Sequence, residues 1–524
     1  MHNILRHQVL HNRSVALAVV CLSVFVISVD ATIVNVALPT LSRDLDADNA
    51  QLQWIVDAYT LVLSGLLLSA GSLADRYGRR GWLIAGVVVF AVASVVAARA
   101  SSADALIAAR AGMGVGAAVI FPTTLSLISN IFTEPVARAK AIGGWAAMTG
   151  IGVAVGPISG GWLLANFAWG SIFLVNVPIA AVAIVGAWLF VPTSRDPAAP
   201  PIDVGGLILS IAGITALVYT VIEAPGWGWT NIRTLGGLTA AAMVLAGFAL
   251  WERQRRYPML DLSVFANRRF SGGTLAVTAS FVTLFGFIFV ITQYFQFIKD
   301  YSALTTGVRL LPVAVSIAMA SMLGPRIVEM IGSTTVIVAG LAIFAMGLGW
   351  ASTVDAATPY PQIAAQMLLL GAGLGLTFAP ATEAVMGSLH TDTAGVGAAI
   401  NSTSRELGGT LGVAIIGSVF ASVYTGRLTA DPLLAGLPAQ ARDTMGQSVA
   451  GAYKVIAQLP PDQVTAISDV VQHAFLDGLR IGTLICAGIA MAAAAVIAVL
   501  LPPRAPAPPS AEGDRASLIG AARS

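Results

Sequence analysis

The chain has 524 residues, of which 56% are hydrophobic and only 10% are charged, and its formal net charge is +2. Soluble domains carry about 25% charged residues, so this composition excludes a soluble protein and predicts one that crosses a membrane many times. The small net charge, without a basic run, argues against a nucleic-acid partner. Cys21 and Cys486 lie in apolar runs, and we interpret them as small core side chains rather than a disulfide.

Apolar runs recur along the whole chain, separated by Gly, Pro or charged residues. Because about 20 apolar residues cross the core of a bilayer, each run predicts one spanning helix, and about fourteen runs are present. Their approximate bounds are 14–38, 51–70, 82–100, 104–128, 140–163, 169–191, 204–224, 234–252, 271–297, 306–330, 333–353, 361–388, 395–424 and 477–501.

Basic residues accumulate in the short loops that follow even-numbered spans, whereas the opposite loops hold single ones such as Arg43 and Lys299. Short cytoplasmic loops are rich in Lys and Arg, so we expect both termini in the cytoplasm. The excess of Arg over Lys, with many Ala and Gly, is typical of GC-rich bacterial genomes. We expect the protein in a bacterial inner (cytoplasmic) membrane. The basic residues are Arg76, Arg79, Arg80, Arg138, Lys140, Arg195, Arg253, Arg255, Arg256, Arg268 and Arg269.

Polar segments at 192–203 and 253–270 set a pair of spans apart from the six before it and the six after it. This pattern predicts an all-α polytopic membrane protein with two six-helix bundles and two additional helices between them. The long loop before the last span shows weak helical patterning, which indicates a small external cap. The predicted units are a cytoplasmic tail 1–13, a bundle 14–191, a linker with two helices 192–270, a bundle 271–501 with an extracellular loop 425–475, and a disordered cytoplasmic tail 502–524.

The first apolar run carries one carboxylate, Asp30. An ionised carboxylate inside a bilayer is costly and persists only beside a partner or a cavity, so Asp30 is a candidate functional residue. The alternative is an aspartate that hydrogen-bonds a neighbouring helix for packing alone.

Two further charged residues lie in the neighbouring spans at a similar depth. At 1.5 Å per residue, Asp30 lies about 12 Å below Pro39, Arg110 about 9 Å below Asp104, and Asp57 about 10 Å from the outer end of its span. An Asp30–Arg110 contact is therefore geometrically allowed, with Asp57 nearby or in an outer vestibule. The alternative for Asp57 is an interfacial residue at a helix start.

The loop after the second span combines one acid with three arginines. Such a cluster can hold neighbouring helices together by charge-assisted hydrogen bonds that break when two bundles rock apart. The alternative is a simple positive-inside anchor. The residues of this motif are Gly71, Asp75, Arg76, Gly78, Arg79 and Arg80.

The fifth span contains glycines four residues apart around a proline. Glycines at this spacing form a flat helix face that another backbone can approach closely, and a proline removes a helix hydrogen bond and favours a hinge. Ordinary small-residue packing is the alternative. The residues are Gly152, Gly156, Pro157, Gly160 and Gly161.

Taken in order, these motifs resemble the major facilitator superfamily, and within it the fourteen-span drug:proton antiporters of the EmrB/QacA type. The resemblance rests on V-D-A-T-I-V-N-V-A-L-P at 29–39, on G-S-L-A-D-R-Y-G-R-R at 71–80, on the fourth-span motif at 110–114 and on the antiporter motif at 152–161.

The resemblance implies a role for each motif. Asp30 and Arg110 would take part in proton coupling. The loop cluster around Asp75 would form the cytoplasmic gate, and Gly156 with Pro157 would make a helix contact between the bundles.

The second half of the sequence carries fewer signals. Glu383, Arg405 and Glu406 lie within spans, and Gln293 with Tyr294 gives the ninth span a polar outer end. Adjacent residues point about 100° apart on a helix, so Arg405 and Glu406 do not neutralise each other as a pair four residues apart would. All five are candidates for a substrate cavity, with packing or interfacial anchoring as the alternative.

The leading hypothesis is secondary export of lipophilic, often cationic drugs or antibiotics in exchange for protons. The alternative keeps this mechanism but carries one specific lipid, antibiotic or metabolite. A third class is a membrane enzyme or a non-transporting sensor. The sequence has no metal-spaced His/Cys cluster, phosphate loop or nucleophile motif, which argues against an enzyme. We therefore expect no metal and no cofactor, the proton as coupling ion, the lipid bilayer and lipophilic small molecules as partners, and a functional monomer.

Overall fold

The computed structural model describes most of the chain, and every regular element in the described part is helical. The predicted tail 502–524 and residues 196–202 of the first polar segment lie outside it. The described residues are 2–195, 203–256, 258–388 and 394–501.

Six spans form the first bundle, and the sixth is broken at Val175 into α6 and α7. Capping side chains fix several helix starts, as where Asp48 and Gln51 bond each other's backbone N–H in a capping box. The helices are α1 (His2–Asp44), α2 (Asn49–Tyr77), α3 (Arg79–Ala98), α4 (Ala103–Ile131), α5 (Pro135–Asn166), α6 (Ser171–Leu174) and α7 (Asn176–Phe190).

A hairpin of two helices, α8 (Val204–Trp227) and α9 (Ile232–Gln254), separates the two bundles in the sequence, and a short 3-10 turn at Leu262–Ala266 follows it. The second bundle again has six spans, one of them broken at Leu310 into α11 and α12. Its helices, with those of its long loop, are α10 (Arg268–Gln293, continued as a π-helix over Tyr294–Ile298), α11 (Ala303–Arg309), α12 (Leu311–Ile331), α13 (Ser333–Ala351), α14 (Tyr360–Met386), α15 (Ala394–Ala430), α16 (Pro432–Ala435), α17 (Ala439–Gln447), α18 (Val449–Ile456) and α19 (Pro461–Leu500).

Within the described residues, thirteen helices are long and apolar enough to cross a membrane. The two parts of α2, Asn49–Leu67 and Ser69–Tyr77, meet at a bend of 55°, and as one span they raise the number to fourteen. The predicted fourteen-span all-α architecture is therefore confirmed.

The two bundles repeat one packing pattern. In the first, α1 packs on α5 and α7, and α4 packs on α2 and α3. In the second, α10 packs on α15 and α19, and α14 packs on α12 and α13, so equivalent spans make equivalent contacts. The arrangement is that of two related halves facing each other.

The ends of the molecule differ. We call the end that carries α16–α18 and the start of α2 the loop face, and the end where α1 begins and α19 ends the tail face. The bundles contact each other towards the loop face, where α2 packs on α15 and α5 packs on α11. The hydrogen bond of Gln296 Nε2 to Val36 O, 2.8 Å long, and the ion pair of Lys454 with Asp46 also join them there. The loop face is thus closed in this conformation.

The additional hairpin lies along the seam between α2 and α15. A Cβ built on Gly65 of α2 would lie 2.8 Å from the Ile211 side chain of α8. On the other side of the seam, the Ser418 hydroxyl of α15 donates to Val221 O of α8 at 2.7 Å. One helix therefore packs on both bundles at once.

The long loop is shorter than the sequence indicates. Its predicted bounds were 425–475, but α15 continues to Ala430 and α19 already begins at Pro461. Likewise, α1 begins at His2, inside the predicted tail 1–13. Hydropathy marks only the part of a helix that matches the bilayer core, whereas backbone hydrogen bonding continues beyond it.

Candidate functional site

Asp30 and Arg110 meet in the interior of the first bundle. The Arg110 guanidinium donates through Nη1 to Asp30 Oδ2, and neither side chain is more than 1% exposed. Arg110 Nε also donates to Ile55 O of α2 at 3.0 Å, and the guanidinium lies 4.3 Å from the centre of the Tyr59 ring. Arg110 on α4 therefore connects the acid of α1 with the backbone and an aromatic ring of α2.

Asn176 completes the surroundings of this acid. Its Nδ2 donates to Asp30 Oδ1 at 3.0 Å and lies 3.4 Å from the Ser94 hydroxyl oxygen. Asn176 is fully buried and is the first residue of α7, directly after the break at Val175. Asn176 is not among the residues predicted from the sequence, although an amide two positions before Pro178, inside an apolar run, is a signal for it.

This arrangement leaves each oxygen of Asp30 with one donor. Burying an ion pair in an apolar interior is costly unless its remaining polar atoms are also hydrogen-bonded. The donors on Arg110 and Asn176 pair both carboxylate oxygens and stabilise the ionised acid.

Asp57 lies elsewhere, on the face of α2 that contacts the second bundle. It is fully buried, and neither carboxylate oxygen has a hydrogen-bond partner in the described part of the protein. One turn away on either side, Gln53 Oε1 lies 3.2 Å from the Ser418 hydroxyl oxygen, and Thr60 Oγ1 accepts from Thr410 Oγ1 at 2.8 Å. Asp57 therefore belongs to the seam between bundles and makes no hydrogen bond with the Asp30–Arg110 pair.

The arginine cluster after α2 lies at the tail face. Asp75 accepts from Arg79 Nε at 2.6 Å, one helical turn along the chain, and the Arg79 backbone N–H donates to Ser194 O at 2.9 Å. Gly78 has a φ of 121°, which favours glycine at this turn between α2 and α3. In this conformation the cluster binds its own bundle.

The other members of the cluster differ in their surroundings. Arg76 is exposed, and Arg80 Nη1 lies 3.5 Å from Val191 O. Gly71 lies against Pro122 of α4, where an added Cβ would come within 3.2 Å of the ring.

The glycine ridge of α5 packs on α1 of the same bundle. A Cβ built on Gly152 would lie 2.7 Å from Ser28 Cβ, one on Gly156 would lie 2.8 Å from Val29 O, and one on Gly160 would lie 2.6 Å from the Ile33 side chain. These glycines bring α5 against the helix of Asp30.

The contact between bundles comes from neighbouring positions of α5. A Cβ built on Gly161 would lie 2.6 Å from Ala303 O of α11, and Gly307 of α11 lies against the Pro157 backbone. Of the two residues expected between the bundles, Pro157 lies there, whereas Gly156 faces α1. Motif spacing alone does not separate these two faces, because they are only one residue apart.

In the second bundle, Arg405 lies between two aromatic rings. Its guanidinium is 4.9 Å from the Phe281 ring centre and 5.0 Å from that of Phe378, and Arg405 Nε is buried without a hydrogen-bond partner. Among the described residues, no ion pair joins Arg405 to Glu406. Glu406 lies one turn before Thr410, on the tail-face side of the contact with α2.

The remaining candidates lie near helix ends. Glu383 forms an ion pair of 3.0 Å with Arg269 near the tail face and is 59% exposed. Gln293 donates to Phe289 O of its own helix at 3.1 Å, and the Tyr294 hydroxyl donates to Asp355 O at 2.6 Å. These contacts anchor helices and loops.

The loop that accepts the Tyr294 bond is ordered by a local turn. Hydrogen bonds from the hydroxyl and the backbone of Thr358 hold the pKa of Asp355 below its usual value.

Within the described residues, no group of three or more His, Cys, Asp or Glu is placed to hold a metal ion.

Comparison with known proteins gives a consistent set of relatives. The multidrug efflux pump LfrA of Mycolicibacterium smegmatis is 36% identical over 487 residues, which cover 93% of this chain and 95% of LfrA. The tetracenomycin C resistance and export protein of Streptomyces glaucescens is 31% identical, with coverage of 92% and 90%. The methyl viologen resistance protein SmvA of Salmonella typhimurium is 34% identical, with coverage of 88% and 92%.

Solved structures with the same fold are more distant in sequence. A bacterial homologue of the human lysosomal transporter Spinster, in an inward-facing conformation, aligns with a TM-score of 0.67 at 16% identity, covering 93% of this chain and 97% of that one. The Escherichia coli xylose transporter XylE, in an inward open conformation, aligns with a TM-score of 0.55 at 14% identity, covering 93% and 95%.

The family model of the Major Facilitator Superfamily matches residues 20–413. Because this match covers most of the chain, and relatives above 30% identity extend over nearly all of it, the protein belongs to the Major Facilitator Superfamily.

Proposed function

We propose that this chain exports lipophilic, often cationic drugs or antibiotics from a bacterial cell in exchange for protons. The family, the fold and the transporter names of its relatives make it a multi-pass membrane transporter and not an enzyme. Export is supported by relatives named as efflux and resistance proteins along nearly the whole chain. One chain contains both bundles and the interface between them, so we propose that a monomer is sufficient.

The observation that carries proton coupling is the fully buried Asp30, held by Arg110 on one oxygen and by Asn176 on the other. A proton and Arg110 compete for this carboxylate, because protonation removes the charge that Arg110 neutralises. In the proposed cycle, protonation loosens Arg110 and lets the bundles rearrange. Loss of the proton on the other side of the membrane restores the pair.

The sidedness follows from the basic residues at the tail face. Loops rich in Arg and Lys favour the cytoplasm, so we place the tail face and both termini inside and the loop face outside the inner membrane. The closed loop face then makes this conformation inward-facing. Alternating access would require Thr60 and Thr410 to separate and the tail-face halves of the bundles to close.

The test uses a strain that lacks its own pumps and expresses this chain. Drug accumulation should fall on expression and rise again when an uncoupler is added while ATP is maintained. In inside-out vesicles, Asp30→Asn should keep drug binding but lose export driven by a pH gradient, because the site no longer exchanges a proton. Asp443→Asn, which neutralises an exposed loop acid, is the matched control.

Two outcomes would contradict the proposal. Uphill export by the Asp30→Asn variant would exclude proton coupling through this acid. Export that continues without a pH gradient or membrane voltage would exclude secondary antiport altogether.

A second candidate is export of one specific antibiotic, lipid or metabolite by the same mechanism. The name of the tetracenomycin C relative, which specifies one compound, favours it. The resistance profile of the expressing strain separates the two: protection against many unrelated cationic compounds supports the first, and protection against one chemical class supports the second.

A further inference from the structure

We propose that Asn176 is a positioning residue for proton coupling, whose side-chain amide turns over when Asp30 gains its proton. In one orientation the amide donates to the ionised acid, and in the other it accepts from the neutral acid. This inference rests on the proposed proton coupling and adds a residue that the motifs do not contain.

The first observation is that both Asp30 oxygens already have a donor. Arg110 Nη1 binds Oδ2, and Asn176 Nδ2 binds Oδ1 at 3.0 Å. An ionised carboxylate can only accept hydrogen bonds, so the amide must present its nitrogen to it. A proton added at Oδ1 would face the hydrogens of Asn176 Nδ2, and a rotation of the amide by about 180° removes this conflict.

The second observation is the other end of the same amide. Asn176 Oδ1 is buried and has no hydrogen-bond partner in the described part of the protein. Buried acceptors are rarely left unpaired, and each one calls for an explanation. Turned over, this oxygen would accept the Asp30 O–H, so the unpaired acceptor is the group that the neutral acid needs.

The third observation is the position of the amide in the fold. Asn176 is the first residue of α7, after the break at Val175, and the nearby Ser94 hydroxyl oxygen lies 3.4 Å from Nδ2. Ser94 itself donates to Phe90 O at 2.8 Å, so its lone pairs remain available to the amide N–H. The helix break brings the side chain of the sixth span to α1, and it does so in the core, where bulk water does not replace its bonds.

The other charged and polar groups described around Asp30 do not both donate to the ionised acid and accept from the neutral acid. Arg110 on α4 only donates, and Tyr59 on α2 lies under its guanidinium. Glu406 on α15 lies one turn before Thr410, whose hydroxyl binds Thr60 of α2. Thr32, two residues further along α1, donates to Val153 O of α5. In the proposed step the proton comes from water at the loop face and leaves to water at the tail face, and Asn176 gains and loses none.

The functional test compares two substitutions of equal size. Asn176→Thr keeps a rotatable donor and acceptor, whereas Asn176→Val has neither. We expect Asn176→Val to slow proton-driven drug exchange about ten-fold, which corresponds to one lost hydrogen bond to a charged group. Asn176→Thr should keep most of the exchange, and drug binding should stay unchanged in both variants. Gln366→Met, which removes a buried amide with an unpaired oxygen from α14, is the matched control.

A spectroscopic readout separates the switch from a fixed structural hydrogen bond. In infrared difference spectra of the purified protein between high and low pH, protonation of Asp30 should be accompanied by a shift of one asparagine side-chain carbonyl band to lower frequency. Both changes should be absent in Asp30→Asn, and the asparagine band alone should be absent in Asn176→Val.

The outcomes are distinguishable from those of the proposed function. If the wild-type protein shows no proton-driven transport, or if Asp30→Asn retains it, the coupling proposal fails. If coupling through Asp30 holds but Asn176→Val exchanges protons normally, or the acid band appears without an asparagine shift, only the role of Asn176 is overturned.

Discussion

Asp30 and Arg110 show how two costly residues become tolerable in a membrane interior. Each carries a charge that is expensive alone, and the two side chains form the contact that their similar predicted depths allow. The extra bonds of Arg110 to Ile55 O and of Asn176 to Asp30 satisfy donors and acceptors that the pair leaves open. Their mutual dependence can be measured.

Arg110→Gln should destabilise the protein by about 3–5 kcal/mol, because it leaves the Asp30 charge buried without a counter-ion. The double variant Asp30→Asn with Arg110→Gln should recover most of this loss, since neither side chain is then charged. Unfolding in detergent, followed by tryptophan fluorescence for the wild type and all three variants, gives the double-mutant cycle. Additive losses in the double variant would mean that the two side chains do not compensate each other.

This pair could be predicted from the sequence because charges stand out in apolar runs and helix geometry gives their depth. Asn176 could not, since a neutral amide has no such signal and its partner lies 146 residues away. The place of Asp57 in the seam between bundles was equally unpredictable, because the face that α2 presents to α15 depends on tertiary packing. The ion pair of Glu383 with Arg269 was likewise out of reach.

At the scale of elements, the crossing of α5 and α11 depends on two small residues. Gly161 meets Ala303 and Leu304, and Gly307 meets Pro157, so no side chain separates the two backbones at this point. Close approach of this kind gains van der Waals contact between the two backbones. The closed loop face is therefore sensitive to a larger side chain at this crossing.

Gly161→Val should therefore open the loop face and reduce transport, because its side chain would overlap the α11 backbone. Labelling of a cysteine placed at Gln53 by a membrane-impermeant reagent added from the loop-face side should increase. Gly150→Val, on the same helix with no atom within 4 Å of an added Cβ, should leave labelling unchanged. Equal labelling in the wild type and Gly161→Val would contradict the importance of this crossing.

At the scale of the whole molecule, two related bundles meet at one end and hold a polar seam there. The seam includes the hydroxyl pair Thr60–Thr410 and the pair Gln53–Ser418, with Asp57 between them on α2. Composition and span count predicted the two bundles and the inserted hairpin. Composition and span count do not predict which conformation is seen, because one sequence adopts more than one conformation in an alternating-access cycle.

The double variant Thr60→Cys with Thr410→Cys should lock this conformation. The two hydroxyl oxygens lie 2.8 Å apart, so sulfur atoms in their places are close enough to oxidise to a disulfide. Transport should stop after oxidation and return after reduction, while each single variant should be unaffected by oxidant. The native Cys21 and Cys486 are buried and free, and they serve as an internal control. Continued transport in the oxidised double variant would mean that the seam stays closed throughout the cycle.

The additional hairpin makes the two flanks of this duplicated architecture unequal. Among the described helices, α8 covers the flank formed by α2 and α15, and no counterpart packs along the opposite flank formed by α5 and α12. The outer surface of the protein therefore differs between the two flanks, and a lipophilic compound in the surrounding bilayer meets an extra helix on one of them only.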